Sequence, residues 1–590
     1  MKKNSFKYLK YFKDLVGGHL QRSVVLSILV TLSDSLGIGL LVIVLQEVSG
    51  QSSFLKDESS VFNKFYSNIF HQSPTILTLI VIAIIFFLLK GLVNFLLLTT
   101  QAKMATSIIS KTRKSLLDGI THLNYKTYTT TDMGAVLNVS TSEVSKLNTS
   151  LHNYLNAWQY VIMSVGYIII AFIVDPFFSA LIIILSLVFF YFYRIVIGYF
   201  RKLSGEIVQT GNLYNSFLSQ ILSNFKYLKT TNVIDFYSKR IGEKIEYSEK
   251  LNFRFLQINA LTNSLREPII LILISAVILI KYAVYGNIGT NLVFTMLLFY
   301  RTLNFFLLTQ SNWQSFQQNS GSIDMILAVR DKFQKGKEDF YTGDKFRFSD
   351  SMVLSDTFVS YNENNVLTDI SITIPKNNMI ALVGPSGSGK TTLVAVLTGL
   401  IPPDKGEFRI DNHLLSEYDL ADFRSKIGYV SQDPVIFNDS IFNNVTLWDA
   451  KTELSLQKFN SVCRLTHLDE MINNLDKKED SGTGDFGITL SGGQKQRISI
   501  ARELYRDVEL LVFDEATSSL DAITEQIIRE NIQSIRGKVT IILIAHRLST
   551  IRFADRIYFI EGGRITASGT YDELMQSSPD FLKMVNLQSG

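Results

Sequence analysis

The chain has 590 residues, which exceeds the length of a typical single domain, so several domains are expected. Apolar residues make up 47% of the chain and concentrate before about residue 310, so its two halves are expected to differ in kind. The net charge of +4 gives no case for a nucleic-acid partner. The single cysteine, Cys463, excludes an intrachain disulfide and a thiolate metal cluster.

Six apolar stretches in the first half are long enough to cross a bilayer, which takes about 20 residues. They are Ser23–Gln46, Thr75–Leu98, Trp158–Val174, Phe177–Ile197, Pro268–Val284 and Asn291–Thr309. The long segments after the second and fourth stretches are basic and poor in glycine and proline, which predicts helices that extend into the cytoplasm. The positive-inside rule then places both termini in the cytoplasm and predicts a multi-pass protein of the cytoplasmic membrane.

Charged side chains inside a span are costly, so each one suggests a function. Lys90 in the second span and Arg301 in the sixth are candidates for a substrate cavity that holds an anionic head group. Pairing with a carboxylate such as Asp34 is the structural alternative. The external loop after the first span predicts an amphipathic helix for the membrane interface or a groove between spans. Its apolar face contains Phe62, Phe65, Tyr66, Ile69 and Phe70.

The second half contains a phosphate-binding loop in the context that makes this motif credible. A strand-like run, Met379–Val383, leads into Gly384-Pro-Ser-Gly-Ser-Gly-Lys-Thr391, and a helix is predicted to follow. Backbone N–H groups of such a loop close around phosphate oxygens, which predicts ATP as a ligand. Lys390 would reach the β- and γ-phosphates, and Thr391 would ligate Mg²⁺. The predicted nucleotide contacts of the loop are Gly384, Ser386, Gly387, Ser388, Gly389, Lys390, Thr391 and Thr392.

Two further motifs complete this site. The apolar run Glu509-Leu-Leu-Val-Phe-Asp514 predicts a buried strand that ends in an acid, and Asp514 would hold the Mg²⁺ shell. A carboxylate directly after it can orient and deprotonate an attacking water, so Glu515 is the predicted catalytic base. Leu490-Ser-Gly-Gly-Gln494 begins a helix whose glycine-containing start suits an anion.

The order of these motifs resembles that of the ATP-binding-cassette family over essentially the whole chain. The resemblance implies that Tyr361 stacks on adenine and that His546 contacts and polarises the γ-phosphate. It also implies that Gln432 senses Mg²⁺ and the γ-phosphate and couples the site to the membrane helices. Asp521 matches the residue that communicates across the dimer, and Asp485 stands where exporters of this family usually have Glu.

The resemblance further implies that the ATP sites need two chains. Ser491, Gly493 and Gln494 would contact ATP that is held by the phosphate-binding loop of the other subunit. Because the chain has one set of motifs with every catalytic position filled, a homodimer is expected, and a heterodimer with a degenerate partner stays open. Helix ends near Tyr125–Asp132 and Gly211–Asn215 would transmit movement from the cassette to the membrane.

The implied fold is an α-helical polytopic membrane domain joined to an α/β P-loop NTPase cassette domain. The membrane domain has six transmembrane helices with long cytoplasmic extensions. The expected bounds are 1–330 for the membrane domain, 331–345 for a linker and 346–590 for the cassette, which lies in the cytoplasm.

The expected function is ATP-driven export or flipping of a hydrophobic or amphipathic substrate by alternating access. Lys90, Arg301 and the external amphipathic helix resemble features of flippases of lipid-linked oligosaccharides, which favours an anionic amphiphile. Export of drugs, lipids or peptides is the alternative within the class. A regulatory or channel-like cassette ATPase that moves no substrate is the alternative from another class. The expected partners are a second copy of the chain, membrane lipid and the substrate, without nucleic acid.

Overall fold

A computed structural model gives the fold of the chain. The residues that it describes are 12, 17–48, 75–174, 176, 180, 184, 198–199, 202–203, 205–207, 210–211, 213–214, 216–285, 292–339, 343–361, 364–484, 487–514, 526, 530, 532–544 and 551–589. The chain divides into two compact units, one of Met1–Thr121 with Asp132–Lys335 and one of His122–Thr131 with Gly336–Gly590.

The helices, in chain order, are α1 His19–Val48, α2 Ile76–Thr121, α3 Tyr125–Thr129, α4 Met133–Asn138, α5 Val144–Val174, α6 Phe225–Thr230, α7 Ile234–Ser264, α8 Arg266–Tyr285, α9 Leu292–Asn319, α10 Gly321–Lys335, α11 Lys390–Leu397, α12 Leu420–Ser425, α13 Ile441–Thr446, α14 Glu453–Leu465, α15 Asp469–Asn473, α16 Gly492–Tyr505, α17 Tyr571–Ser577 and α18 Pro579–Ser589. The strands are β1 Ser351–Tyr361, β2 Asn364–Pro375, β3 Met379–Val383, β4 Lys405–Ile410, β5 His413–Leu414, β6 Ile427–Val430, β7 Leu510–Asp514, β8 Thr540–Ile544, β9 Arg556–Glu561 and β10 Arg564–Gly569.

Long apolar helices make up the first unit. Among the described residues, four stretches are long and apolar enough to cross a membrane: His19–Leu45, Ile76–Thr121, Met133–Phe172 and Ile234–Ile280. These overlap the first, second, third and fifth predicted spans. The sixth predicted span lies along α9, although α9 is not one of the four. The fourth span, Phe177–Ile197, falls almost entirely outside the described residues, and the external amphipathic helix falls wholly outside them.

The length of α2 shows that it extends beyond a bilayer, as the sequence predicts. α2 has 46 residues, which is about 69 Å at 1.5 Å per residue, while the hydrocarbon core of a bilayer is about 30 Å thick. Few residues with low helix propensity interrupt this helix, so nothing local ends it where the apolar stretch ends. The predicted continuation beyond Leu98 is therefore present as one helix.

The core of this unit lies where α1, α2, α5 and α9 meet. Buried side chains from all four helices form one apolar cluster, in which Tyr167 of α5 stacks on Phe305 of α9 with ring centroids 5.6 Å apart. α1 and α5 approach closely at Gly166, because a Cβ atom there would lie 2.6 Å from the Thr31 methyl group. Small residues allow this kind of contact between membrane helices.

The second unit is built on two sheets. The larger has the strand order β10-β9-β3-β8-β7-β6, and its β6–β7, β7–β8, β8–β3 and β3–β9 pairs are parallel. Every residue of β3 and β8 is buried, as expected for strands covered on both faces. The smaller sheet is antiparallel in the order β2-β1-β4-β5. Helices α13, α14 and α16 form a separate apolar cluster.

A short helix, α3, belongs to the second unit although it lies between helices of the first in the sequence. Asn124 caps it, and the Asn124 amide donates to the Gly336 carbonyl at 2.8 Å. Tyr125 packs against the apolar core of the cassette, and the Lys126 ammonium lies 3.2 Å from an Asp404 carboxylate oxygen. The predicted contact segment Tyr125–Asp132 thus contacts the cassette of its own chain, whereas Gly211–Asn215 is only partly described.

The division of the chain also bears on the linker predicted at residues 331–345. α10 continues through Lys335, so the first residues of this segment are helical. The second unit begins at Gly336, where Glu338 forms an ion pair with Arg424 of the cassette. Local sequence gives no sign of this long-range contact.

The single cysteine provides a test of the packing of the second unit. Cys463 is 2% exposed in α14, and burial raises the pKa of its thiol to about 12. At pH 8 such a thiol is ionised in roughly one molecule in ten thousand, and only the thiolate reacts quickly. We expect a chromogenic disulfide reagent to leave the folded chain unlabelled and to titrate one thiol after denaturation. A Ser461→Cys variant, exposed on the same helix, should react at once; rapid labelling of the unmutated folded chain would contradict the packing.

Candidate functional site

The phosphate-binding loop connects β3 to α11. Gly384 follows the last buried residue of β3, and a Cβ atom at this position would lie 2.0 Å from the Ile560 carbonyl oxygen. Gly389, at φ +101°, occupies the left-handed region directly before α11 begins at Lys390. The glycine spacing in the sequence is therefore required by close backbone approach and by the turn into the helix.

Two side chains give this loop its affinity for an anion. The Lys390 side chain is 6% exposed, and its ammonium donates to the carbonyl oxygens of Gly384 and Pro385 at 3.0 and 2.9 Å. The Ser388 hydroxyl is buried and has no hydrogen-bond partner among the described residues. A buried hydroxyl normally has a partner, so this one fits a ligand oxygen. The loop as folded therefore fits the phosphates of ATP.

The other predicted nucleotide contacts lie around this loop. Thr391 is exposed at the start of α11, and Thr392 is half-buried beside it. Tyr361 ends β1 and forms a side-chain hydrogen bond with Thr392, which places its ring next to the loop. Burial, followed by the neighbouring Tyr125, raises the pKa of Tyr361, so it stays a neutral aromatic surface for a base.

Asp514 ends β7, which is separated from β3 by β8 in the sheet. Because the carboxyl ends of parallel strands meet at one edge, Asp514 and the phosphate-binding loop lie at the same edge of this sheet. A carboxylate and the Thr391 hydroxyl are oxygen ligands of the kind that Mg²⁺ prefers, together with nucleotide phosphates. In the described part of the chain, no group of three His, Cys, Asp or Glu side chains could hold a metal ion by itself. The Asp514 carboxylate and the Thr391 hydroxyl thus fit Mg²⁺ that is bound together with a nucleotide.

Tyr429 contacts this carboxylate from the neighbouring strand. Its hydroxyl donates to Asp514 Oδ2 at 2.6 Å. Burial, followed by the Asp514 charge, raises the pKa of Tyr429 well above its usual range, so its hydroxyl keeps its proton. Sequence reasoning missed this residue because a tyrosine in a short apolar strand is usually interpreted as part of the apolar core.

Ser491, Gly493 and Gln494 open α16 in the helical part of the cassette. The Ser491 hydroxyl accepts from the Gln494 amide at 3.3 Å, and Gln494 Oε1 accepts from the Ser491 amide at 2.8 Å. This is a reciprocal capping box. Gln494 thus has a local structural contact, and its predicted contact with nucleotide of another subunit stays a prediction, as do those of Ser491 and Gly493.

Gln432 is exposed in the loop that follows β6. Arg502 of α16 holds the continuation of this loop: it donates to the carbonyl oxygens of Val435 and Asn444 at 2.8 and 2.6 Å and lies over the Phe437 ring. Sequence reasoning missed Arg502 as well. The sequence did contain a signal for it. Arg502 is a charged residue on the apolar helix face that contains Ile498, Ala501 and Tyr505.

The remaining predicted residues of the site, Glu515 and His546, lie outside the described residues, as do Asp485 and Asp521. Their roles stay predictions from sequence. Both Glu515 and His546 follow strands of the large sheet closely in sequence, namely β7 and β8.

The charged residues of the membrane helices form a second candidate site. Lys90 of α2 lies 2.5 Å from Asp34 Oδ1 of α1, and the Tyr167 hydroxyl of α5 donates to Asp34 Oδ2 at 2.5 Å. Asp34 is 1% exposed, whereas 30% of the Lys90 side chain is accessible. The structural alternative for Lys90, pairing with Asp34, is therefore found. Arg301 is half-buried on α9.

Family models match both halves of the chain. Residues 23–307 match the ABC transporter transmembrane region, and residues 367–518 match the ABC transporter model for the cassette. The chain belongs to the ABC transporter family. The predicted family is confirmed.

Relatives and solved structures agree with this membership. The ATP-dependent lipid A-core flippases of Burkholderia pseudomallei (strain 1710b) and Escherichia coli (strain K12) are each 40% identical to the chain, over 230 and 225 residues. These alignments cover 39% and 38% of this chain and span 38% of the length of each relative. A bacterial Atm1-family ABC exporter with ATP bound superposes with a TM-score of 0.78 at 20% identity, covering 97% of this chain and 99% of that one. The predicted fold class is thereby confirmed.

The ion pair between Asp34 and Lys90 predicts a stability effect that an exposed pair should lack. Asp34→Asn would leave a largely buried ammonium without its counter-charge, at a cost of about 3 kcal/mol. We expect a lower melting temperature in detergent, and partial recovery when Lys90→Met is added. Asp331→Asn removes the exposed pair with Lys335 and should change little. Equal effects of Asp34→Asn and Asp331→Asn would contradict the buried pairing.

Proposed function

We propose that the chain is an ATP-hydrolysing flippase or exporter of an anionic amphiphile, which works as a pair of identical chains in the cytoplasmic membrane. The observation that carries this proposal is a phosphate-binding loop, with a buried lysine and an unsatisfied buried serine, in one chain with membrane-spanning helices. Such a chain combines a site for ATP, the energy source, with helices that can cross the bilayer.

In this proposal the loop binds and orients the triphosphate. Lys390 and Ser388 contact phosphate oxygens, Tyr361 stacks on the base, and Thr391 and Asp514 hold Mg²⁺. When bound, Mg²⁺ neutralises charge on the phosphates. Gln432 would sense the metal and γ-phosphate, Glu515 would orient and deprotonate the attacking water, and His546 would polarise the γ-phosphate.

The position of Ser491 supports the proposal that two chains are needed. Ser491 caps α16, a helix of 14 residues in the helical part of the cassette. Its N-terminal amides favour an anion, and the family resemblance assigns that anion to the ATP of a second copy. Two identical chains related by a two-fold axis would then complete two sites at once.

ATP would drive transport because it binds the closed pair of cassettes better than the open one. α3 gives this closure a route to the membrane. It packs on the cassette of its own chain and follows α2 after residues 122–124 only. A displacement of the cassette would therefore be passed to the cytoplasmic end of α2, and both chain termini would lie on this cytoplasmic side.

The substrate class rests on the charges of the membrane unit. Asp34 and Lys90 cancel, and Arg301 adds one positive charge, so Asp34, Lys90 and Arg301 together are positive. A positive charge at membrane depth favours an anionic head group such as phosphate or pyrophosphate. The relatives named as lipid A-core flippases support a lipid as the cargo. Lipid-linked oligosaccharides remain our specific candidate, with Arg301 as the principal contact. Lys90, which is paired with Asp34, is the second candidate contact.

Replacement of the proposed base separates ATP binding from hydrolysis. In Glu515→Gln we expect ATPase activity to fall by at least about 100-fold, because water activation is lost, while binding of a fluorescent ATP analogue persists. Lys390→Ala serves as the comparison and should weaken binding itself. An unchanged turnover rate in Glu515→Gln would refute the assignment of the base.

Replacement of Arg301 tests the substrate class. Undecaprenyl-pyrophosphate-linked sugars should stimulate the ATPase activity of the chain in liposomes. Arg301→Ala should raise the half-stimulating concentration about 10- to 100-fold, because one charge-assisted contact is lost, and Arg301→Lys should recover part of the effect.

Each outcome of this experiment has a definite meaning. A neutral amphiphile such as a diacylglycerol is the control. If it stimulates Arg301→Ala and the unmutated chain equally, the variant is still active and its loss of stimulation is specific to the anionic lipid. Absence of stimulation of the unmutated chain by any pyrophosphate-linked lipid would reject the flippase proposal.

A further inference from the structure

Tyr429 and Asp514 form a direct hydrogen bond between two neighbouring strands at the nucleotide edge of the sheet. β6 and β7 are parallel, with Tyr429 opposite Val512 and Val430 opposite Phe513. This register lets the tyrosine side chain reach forward to the end of β7, where its hydroxyl meets Asp514 Oδ2 at 2.6 Å. Nothing in the ATP chemistry described above uses this tyrosine.

The backbone of Tyr429 is itself fixed from the other side. The Tyr429 amide donates to the Glu503 carboxylate of α16, and Glu503 is buried and paired with Arg506 at 2.9 Å. Gly428 allows this approach, because a Cβ atom there would lie 2.8 Å from Leu511 and 3.2 Å from Glu503. The ring of Tyr429 is thus presented to Asp514 from a strand that two neighbouring elements hold.

We propose that Tyr429 is a positioning residue of the Mg²⁺ site: its hydroxyl fixes the orientation of the Asp514 carboxylate. A carboxylate with both oxygens unrestrained rotates about its terminal torsion, which is broad and two-fold. A short hydrogen bond to Oδ2 selects one orientation and thereby sets where Oδ1 points. Preorganised ligands bind a metal more tightly than ligands that must be ordered on binding.

The position of Tyr429 along the chain adds a second consequence. It lies three residues before Gln432, the residue that we expect to sense Mg²⁺ and the γ-phosphate. A short segment of chain therefore holds both a proposed sensor of the metal and the donor that orients a proposed metal ligand. Movement of the Gln432 loop would be felt at Asp514 through this strand.

The test is Tyr429→Phe in the full-length chain, because it removes one hydroxyl and keeps the ring. The probe is a non-hydrolysable fluorescent ATP analogue, titrated once with Mg²⁺ and once with EDTA, so that binding is measured without turnover. We expect affinity with Mg²⁺ to fall about tenfold, the effect of one hydrogen bond to a charged group, and affinity in EDTA to stay unchanged. The Mg²⁺ concentration that gives half-maximal ATPase activity should rise by a similar factor.

Tyr505→Phe is the matched control. The Tyr505 hydroxyl also donates to an aspartate, Asp449 Oδ2 at 2.7 Å, but in the helical part of the cassette. Its removal should leave both titrations unchanged. Melting curves of the two variants show whether each is folded, and a loss of the Mg²⁺-specific affinity in a folded Tyr429→Phe supports the proposal.

Two results would overturn it. Identical Mg²⁺ curves for Tyr429→Phe and the unmutated chain would mean that Asp514 is oriented without the tyrosine. An equal loss with Mg²⁺ and with EDTA would mean that the hydroxyl supports the nucleotide pocket in general. The inference rests on the proposed Mg²⁺ site. The unmutated chain distinguishes failure of this inference from failure of the proposed function: if its ATP binding does not depend on Mg²⁺, the Mg²⁺ site of the proposed function is contradicted, whatever the result for Tyr429→Phe.

Discussion

The parallel pairing of β3, β8, β7 and β6 is the constraint on which the nucleotide site depends. Parallel strands end at a common edge, so the phosphate-binding loop, Asp514 and the Gln432 loop are brought together although they are far apart in sequence. β3 and β8 are buried along their whole length, and Asp514 and Thr540, the polar residues of β7 and β8, lie at strand ends. The edge of the sheet is therefore where the chain places the Asp514 carboxylate, the hydroxyls of the loop and Lys390 together.

The membrane unit solves a different electrostatic problem. An ammonium and a carboxylate at membrane depth are each expensive, and pairing of Asp34 with Lys90, supported by Tyr167, reduces this cost. The pair joins α1 to α2 and, through the tyrosine, to α5. Tyr167 also stacks on Phe305 of α9, so side chains of four helices meet near Asp34.

Local sequence predicted much of both units, because their signals are local. Hydropathy gave the positions of the spans that the structure describes, and glycine spacing before Lys390 predicted the loop that the structure contains. Such patterns do not predict which side chains will contact each other when they are far apart in the sequence. The hydrogen bond from Tyr429 to Asp514 and the contacts of Arg502 join residues dozens of positions apart, and neither was predicted. The pairing of Lys90 with Asp34 was predicted only as one of two alternatives for Lys90. Periodicity predicts which face of a helix or strand is buried, but it does not predict which residues contact the opposite face.

The inclusion of α3 in the cassette unit has a consequence for the exchange of modules between transporters. A boundary drawn at residue 336 separates the cassette from a helix whose Tyr125 packs against its core and whose Lys126 pairs with Asp404. A cassette grafted onto foreign membrane helices would meet a foreign segment at that surface. Compatibility would then depend on ten residues, His122–Thr131, that an alignment of domains assigns to the other module. Inheritance of a cassette and of its docking helix is thus expected to be linked, even though the two are separated by more than 200 positions of sequence.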